Sequence, residues 1–495
     1  LLFAPYFNKR EFPQFALDGV VVLFCLSFAG VMLLSRAVYS VFAALILIVN
    51  VVYLHILLHW GGPVEERFSL VLESPTRESL EYLGTYLSGI DAFVLLYVLG
   101  CLVAIGLICR SRVCSTPLLR LLALMPLIVL AVLVSQNTRA MKELALITLP
   151  NVLIEQPTRM RHLLEREKAL ASLPARQVDC VSDYANVVVV IGESASADHH
   201  VLYGYDGGWR SELEALDFAR FSAISPSNQT RYSVPIMLTA ATATSFGRFY
   251  AEPSLVSELK ACGYRTYWLS NQDRSGKQDD NAASMGREAD ISLFISDEKR
   301  SWRSKRHYDE ELIDKIKLIN AESGSMKKRA FFVHLVGSHF NYFRRFPPSF
   351  APAPASSSEA YDISIRYTDK VLRGLFDAFP KDGLLFVYCS DHGELLSGDH
   401  MGHSFAPSHQ NEYRVPFLVW SSQPDRLTQL RQYVDGKVIN TESFDHVVGF
   451  LVGLESDLHQ ISFSRLVMDA SQQVVNYDSL ENVPFRPPAT LSARR

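Results

Sequence analysis

The chain has 495 residues, 48% of them hydrophobic, and a formal net charge of −4. No basic stretch interleaved with aromatic residues occurs, which excludes a nucleic-acid binder and fits a membrane-anchored enzyme.

The first part of the chain is strongly apolar. Runs over about 17–34, 38–58, 90–109 and 118–135 each approach the roughly 20 residues needed to cross a hydrocarbon core. They predict a transmembrane helical domain over residues 1–137. Arg110, Arg112 and Arg120 crowd the short turn between the last two runs, while Glu65, Glu66, Glu73, Glu78 and Glu81 make the longer loop acidic. The Arg-rich turn is therefore expected in the cytoplasm, so that the last span delivers the rest of the chain to the far side. The chain opens on Leu1-Leu2-Phe3 without methionine, and an upstream first span is expected before it. No cleavable signal peptide is evident. Over 138–183, Arg159, Arg161, His162, Glu165, Arg166 and Lys168 alternate with Leu163, Leu164, Leu170 and Leu173, which predicts amphipathic bridging helices near a membrane surface.

Strand-like and helix-like segments then alternate over 184–470, with a C-terminal tail over 471–495. Strands are predicted at 187–191, 266–269, 331–335, 384–389 and 417–420, separated by stretches long enough for crossover helices. That pattern implies an α/β sandwich with a mostly parallel sheet. The stretch Ala351-Pro352-Ala353-Pro354-Ala355-Ser356-Ser357-Ser358 reads as a surface loop. Of seven cysteines, Cys180, Cys262 and Cys389 lie outside the apolar runs. A disulfide framework is not expected, although one bridge among these three stays open.

Two predicted strands end in polar residues that can bind a metal. Val187-Val188-Val189-Val190-Ile191 runs into Gly192-Glu193-Ser194, and Val387-Tyr388-Cys389 into Ser390-Asp391-His392-Gly393-Glu394. Buried strands of an α/β fold deliver their ligands at such ends. Glu193, Asp391 and His392 form an O,O,N set that suits zinc, with manganese second, and leaves a fourth position for chemistry. Taken alone, Asp-His-Gly is equally a capping turn. Between the two ends, Thr230 stands at a predicted helix start, where an N-cap is the ordinary role. The same place suits a nucleophile that holds a phosphoryl group, provided a cation activates its hydroxyl.

Taken together, the motifs resemble the phosphoethanolamine transferases of the bacterial envelope, within the alkaline phosphatase and sulfatase superfamily. The resemblance runs in order through Gly192-Glu193-Ser194, Leu202-Tyr203-Gly204-Tyr205, Thr230-Arg231-Tyr232-Ser233-Val234-Pro235, Trp268-Leu269-Ser270-Asn271-Gln272, His334-Leu335-Val336-Gly337-Ser338-His339, Ser390-Asp391-His392-Gly393-Glu394 and Val415-Pro416-Phe417-Leu418-Val419-Trp420. It implies an alkaline-phosphatase-like fold and a Thr230 nucleophile that becomes phosphoethanolaminylated. One zinc would sit on Glu193, Thr230, Asp391 and His392, with a second ion left open.

His339 would bind substrate phosphate or act as general acid and base. His403 would join it, with His400 as the rival, and Asn271 and Gln272 would also bind substrate. In the acidic loop, Ser74 and Glu78 share a helical face, and Glu78 would meet the ethanolamine ammonium. The solvated, Ser74-capped helix is the plain alternative. The donor implied is phosphatidylethanolamine, and the acceptor lipopolysaccharide, at a core sugar or lipid A, or another envelope glycan. The protein would be a monomeric multi-pass protein of the bacterial inner membrane, with its catalytic domain in the periplasm.

Departures from the family pattern bear on the acceptor. Ser225, Pro226 and Ile236 stand where the lipid A branch carries cysteines around its nucleophile, and Ala197 and Asp198 replace an expected arginine. A phosphoglycerol transferase or a metal-dependent phosphodiester hydrolase of the same superfamily is the enzymatic alternative. A membrane-anchored sensor or scaffold is the alternative outside catalysis.

Overall fold

The computed structural model describes residues 184–272, 281–295, 307–322, 328–397, 400–405, 407–454 and 457–484, together with 99, 165, 166, 168–170 and 181. The expected membrane runs, Ser74, Glu78 and Cys180 lie outside the described residues. Among those described, no helix is long and apolar enough to cross a membrane.

One eight-stranded sheet organises the domain. Its strands are β1 (Asn186–Gly192), β2 (Ala219–Ile224), β3 (Arg265–Ser270), β4 (Ile291–Phe294), β5 (Arg329–His334), β6 (Leu384–Ser390), β9 (Arg414–Ser421) and β10 (Ile439–Asn440), in the order β10-β2-β9-β6-β1-β5-β3-β4. A short hairpin, β7 (Leu395–Ser397) with β8 (His400–Gly402), lies between β6 and β9 in sequence. A second small hairpin, β11 (Leu466–Met468) with β12 (Val474–Asn476), follows β10. All five predicted strands are present. Three sheet strands were not foreseen: β2, which mixes buried and exposed positions, and the short β4 and β10.

Alternation along β1 explains the three layers. Val187, Val189 and Ile191 pack on one face against Val234, Ile236 and Met237 of α1 (Thr230–Leu238), Leu255 and Leu259 of α2 (Leu255–Ala261), and Val447 and Leu451 of a later helix, Phe444–Val452. Val188 and Val190 pack on the other face against Leu312 and Ile316 of the helix Glu310–Glu322, and Val371, Leu372 and Leu375 of Ser357–Asp377. A strand buried on both faces has to be apolar at every position, which is why the Val-rich run reads without polar alternation.

The sheet is mixed rather than mostly parallel. β9 runs antiparallel to both β6 and β2, while β1 is parallel to β5 and β6, and β3 to β4 and β5. The physical reason lies in the connection. Parallel neighbours need a crossover, usually a helix, whereas antiparallel neighbours can be joined by a segment that stays at one edge. Among the described residues between Ser390 and Arg414 there is only the β7–β8 hairpin and a 3-10 turn, Gln410–Glu412. The described residues of 391–413 contain no crossover helix that would carry them from the edge where β6 ends.

The cysteines divide. Cys389 is free and buried in β6. Cys262 is disulfide-bonded, to a partner outside the described residues.

Arg166, from the predicted bridging segment, is 1% exposed. Its Nη1 lies 2.6 Å from Glu288 Oε1, its Nε donates to the Phe249 carbonyl at 2.7 Å, and its guanidinium covers the Phe249 ring. Glu288 also accepts from Ser254 and Ser257 through Oε2. Arg166→Met is expected to cost about 3–5 kcal/mol of stability, because it leaves the Glu288 carboxylate buried without its cation. Denaturant unfolding of the variant against the parent checks this, and a loss below ~1 kcal/mol would mean that the serines alone satisfy Glu288.

Candidate active site and metal centre

Register brings the site together. Gly192 pairs with Ser390 and Ile191 with His334, while Ser270 also pairs with His334, so β1, β3, β5 and β6 end on one line. β2 runs parallel to β6, since both are antiparallel to β9, and it ends on the same side. Glu193, Gln272, Leu335–His339, Asp391–His392 and the loop to Thr230 all leave from these carboxyl ends. Ligand sites of open α/β sheets form there.

Glu193, Asp391 and His392 are each no more than 1% exposed, and their ligand atoms all lie within 4.8 Å of one another. Each is aimed by its neighbours. Asp391 Oδ1 accepts from the backbone N–H groups of Ser194 (3.0 Å) and His392 (2.7 Å), which leaves Oδ2 buried and without a hydrogen-bond partner. The His392 Nδ1–H donates to the Gly393 carbonyl at 2.8 Å, so that in the neutral ring Nε2 carries the lone pair. That nitrogen stands 3.4 Å from Asp391 Oδ2 and 3.5 Å from Glu193 Oε1. Glu193 accepts from Ser194 Oγ at 2.7 Å and from Gln272 Nε2 at 3.1 Å.

Thr230 opens α1, and its cap residue Gln229 makes no side-chain cap. Thr230 Oγ1 donates to Glu193 Oε2 at 3.1 Å and lies 3.3 Å from His392 Nε2. Two buried carboxylates and an imidazole lone pair facing one point are a costly arrangement without a cation. An orphaned carboxylate oxygen among O,O,N donors, with a hydroxyl as fourth, fits zinc. The hydrogen bonds to Glu193, Asp391 and His392 are the outer shell such an ion requires.

A second group of potential ligands, His392, Glu394 and His403, adjoins the first. The His403 ring centroid is 4.1 Å from that of His392 and 6.1 Å from that of His339. His403 Nδ1 is 2.7 Å from Glu394 Oε2, and Tyr342 Oη donates to Glu394 Oε1. Burial pushes the Glu394 carboxyl well above the usual range, opposed by the Tyr342 hydrogen bond. His403 thus adjoins His392, and His400 holds a backbone position in β8 opposite Ser397.

Two expected substrate binders make hydrogen bonds to residues of the site and its support. Gln272 donates to Glu193 and to the Leu335 carbonyl. Asn271 donates to Asp309 Oδ1 at 2.8 Å, and that buried carboxylate also takes the backbone N–H groups of Val336 and Gly337. Both side chains hold the site from behind. Asp309 and Glu394 had no role in the sequence reading. Glu394 could have been found two residues beyond His392 in the quoted motif, but Asp309 carries no local signal.

Backbone strain collects at the same place. Ser194 (φ 56°), Ser404 (φ 62°) and Asn341 (φ 68°) hold positive φ angles beside Glu193, His403 and the His339 turn. Such conformations persist where surrounding contacts enforce them.

The sulfatase family profile matches residues 185–442. Phosphoethanolamine transferase EptC of Escherichia coli is 27% identical over 354 residues, a match that covers 65% of this chain and 58% of that protein's length. In structure, the C-terminal periplasmic domain of Escherichia coli EptC, in complex with zinc, superposes with a TM-score of 0.54 at 23% identity, covering 62% of this chain and 98% of that one. The integral membrane protein lipooligosaccharide phosphoethanolamine transferase A of Neisseria meningitidis gives a TM-score of 0.61 at 18% identity, covering 92% and 93%. The mixed sheet is that of an alkaline-phosphatase-like α/β domain. The chain belongs to the sulfatase family.

Gly337 shows how tightly the elements meet. It has φ +47°, and a Cβ there would stand 2.6 Å from the Glu193 carbonyl oxygen. Gly337→Ala is therefore expected to destabilise the domain by about 1–3 kcal/mol through overpacking and to displace Glu193. Unfolding midpoints and metal titration of the variant check both effects, and unchanged values would mean the Val336–His339 turn moves freely.

Proposed function

We propose that the chain is a phosphoethanolamine transferase, moving phosphoethanolamine from phosphatidylethanolamine to an envelope acceptor through a phospho-threonine on Thr230. The observation that carries this reading is the Thr230 hydroxyl at a helix N-terminus, 3.1 Å from Glu193 and 3.3 Å from His392, beside the buried Glu193, Asp391 and His392 ligand set. The name borne by the EptC relative supports the group transferred. The zinc held by the EptC periplasmic domain supports the metal. The bridged Cys262 supports an oxidising compartment, in keeping with a periplasmic domain delivered by inner-membrane spans.

Zinc held by Glu193, Asp391, His392 and Thr230 would lower the pKa of the threonine hydroxyl and offset the charge of the phosphate it meets. Thr230 Oγ1 attacks phosphorus, and the Oγ1–P bond forms as the bond to the diacylglycerol oxygen breaks. The departing oxygen takes up a proton. The positive end of α1 favours the phosphate oxygens. His339 and His403, whose rings lie 6.1 Å apart, bind phosphate and carry protons. A hydroxyl or phosphate of the acceptor then attacks the phospho-threonine and restores Thr230. The acceptor proposed is lipopolysaccharide, at a core sugar or on lipid A. Mass spectrometry of envelope glycolipids from cells with and without the protein identifies it.

Incubation of the full chain with phosphatidylethanolamine is expected to add one phosphoethanolamine to the intact mass. Thr230→Ala abolishes the adduct and the transfer, while Thr230→Ser keeps part of both. An adduct that persists in the alanine variant removes Thr230 as nucleophile, and a phosphoglycerol adduct formed in preference reassigns the donor.

Asp391→Asn and His392→Ala are each expected to lower zinc stoichiometry and activity together, because a catalytic zinc has no spare protein ligand. Elemental analysis of the purified variants measures this. Full occupancy in both variants would place the ion elsewhere.

A further inference from the structure

Thr230 and His403 come from different parts of the chain, and besides their shared neighbour His392 a set of contacts outside the sheet and the metal ligands ties the two together. The Thr230 loop follows β2, and the His403 loop lies in the connection between β6 and β9. Glu412, wholly buried in the 3-10 turn Gln410–Glu412, joins them. Its Oε2 accepts from Asn228 Nδ2 at 2.8 Å and from the Phe405 backbone N–H at 2.9 Å, while Oε1 accepts from the His409 backbone N–H at 2.7 Å. Asn228, also wholly buried, stands two residues before Thr230. Its side-chain amide reaches the Phe405 carbonyl at 3.3 Å, and its own carbonyl accepts from Ser404 Oγ at 3.2 Å. Ser404, at φ 62°, is the residue directly after His403.

These contacts have an unusual composition. A buried carboxylate normally meets a cation; Glu412 is met by the Asn228 amide and two backbone N–H groups, and the His409 imidazole Nδ1 lies 3.3 Å from its Oε1. The bonds to this carboxylate are charge-assisted, hence short and directional, and the one from Asn228 runs between the two loops rather than within one helix or strand. A carboxylate serving only to cap its own turn needs the His409 N–H. It does not need Asn228.

We infer that Asn228 and Glu412 are positioning residues that set the spacing between Thr230 and His403, and so the alignment of the nucleophile with the phosphate bound beside it. Neither touches the reacting atoms. The strained backbone at Ser404 is held by the same contacts, so loosening the clamp lets the His403 loop relax away from Thr230. An error of about 1 Å in the placement of reacting groups can cost on the order of 10²-fold in rate. The inference rests on the transfer reaction proposed above for the roles of Thr230 and His403.

The test uses the full chain with Glu412→Gln, Asn228→Ala and the double variant. Glu412→Gln keeps the shape but turns an NH2 group toward N–H donors; Asn228→Ala is the milder change and leaves Glu412 its two backbone partners. The rate of Thr230 adduct formation at saturating phosphatidylethanolamine is expected to fall roughly 10²-fold in each, with KM for the donor and zinc stoichiometry unchanged. Because both act through one contact, the double variant should lose no more than the worse single. Parental rates in both single variants overturn the inference. Losses that multiply in the double variant, or that track lost zinc, overturn it as well, since the residues would then act separately or by holding the metal ligands. A parental chain that forms no adduct refutes the transfer reading instead, and the same comparison is then made on hydrolysis of a small soluble phosphodiester, where the clamp predicts the same fall.

Discussion

Two carboxylates, Glu193 and Asp391, end neighbouring parallel strands and are both buried, with an imidazole lone pair facing them. Their mutual repulsion and the loss of hydration are the costs around which the site is arranged. Each carboxylate has at least one oxygen tied to protein donors: Ser194 and Gln272 on Glu193, two backbone N–H groups on Asp391. The oxygen left over on Asp391 is aimed, buried and without a hydrogen-bond partner. A cation offsets the charge of both groups and fills that position, and this requirement joins the fold to the proposed chemistry.

The sheet meets the requirement through register. With β1, β3, β5 and β6 ending on one line, side chains far apart in sequence arrive at one point without long loops of their own. The single antiparallel strand β9 has a matching effect, since the described part of the connection that reaches it contains no crossover helix. Residues 391–413 can thus supply two metal ligands, Glu394, His403 and the Glu412 clamp within one segment. A crossover helix there would have carried half of them to the far side of the sheet.

The tightness of the arrangement explains why small residues recur in it. Gly337 lies where any side chain would strike the Glu193 backbone, and Gly393 where a Cβ would come within 2.4 Å of the Asn411 carbonyl oxygen. The positive φ angles at Ser194 and Ser404 belong to the same compression. Rigid supports of this kind hold reacting groups in place at a cost in local strain.

By itself the sequence determined the strands that are buried on both faces, because burial leaves only apolar residues and an abrupt polar end; β1 and β6, with Glu193, Asp391 and His392, were legible on that ground. Motif order made Thr230 and His339 legible through their resemblance to a known family. Tertiary structure alone decided the antiparallel course of β9, the closeness of His403 to His392, the hydrogen bonds of Asn271 to Asp309 and of Gln272 to Glu193, and the support given by Glu394 and Glu412. Several of these are pairings between residues dozens to hundreds of positions apart. Hydrophobic periodicity records which face of an element is buried, but it carries no information about which polar partner that face will meet.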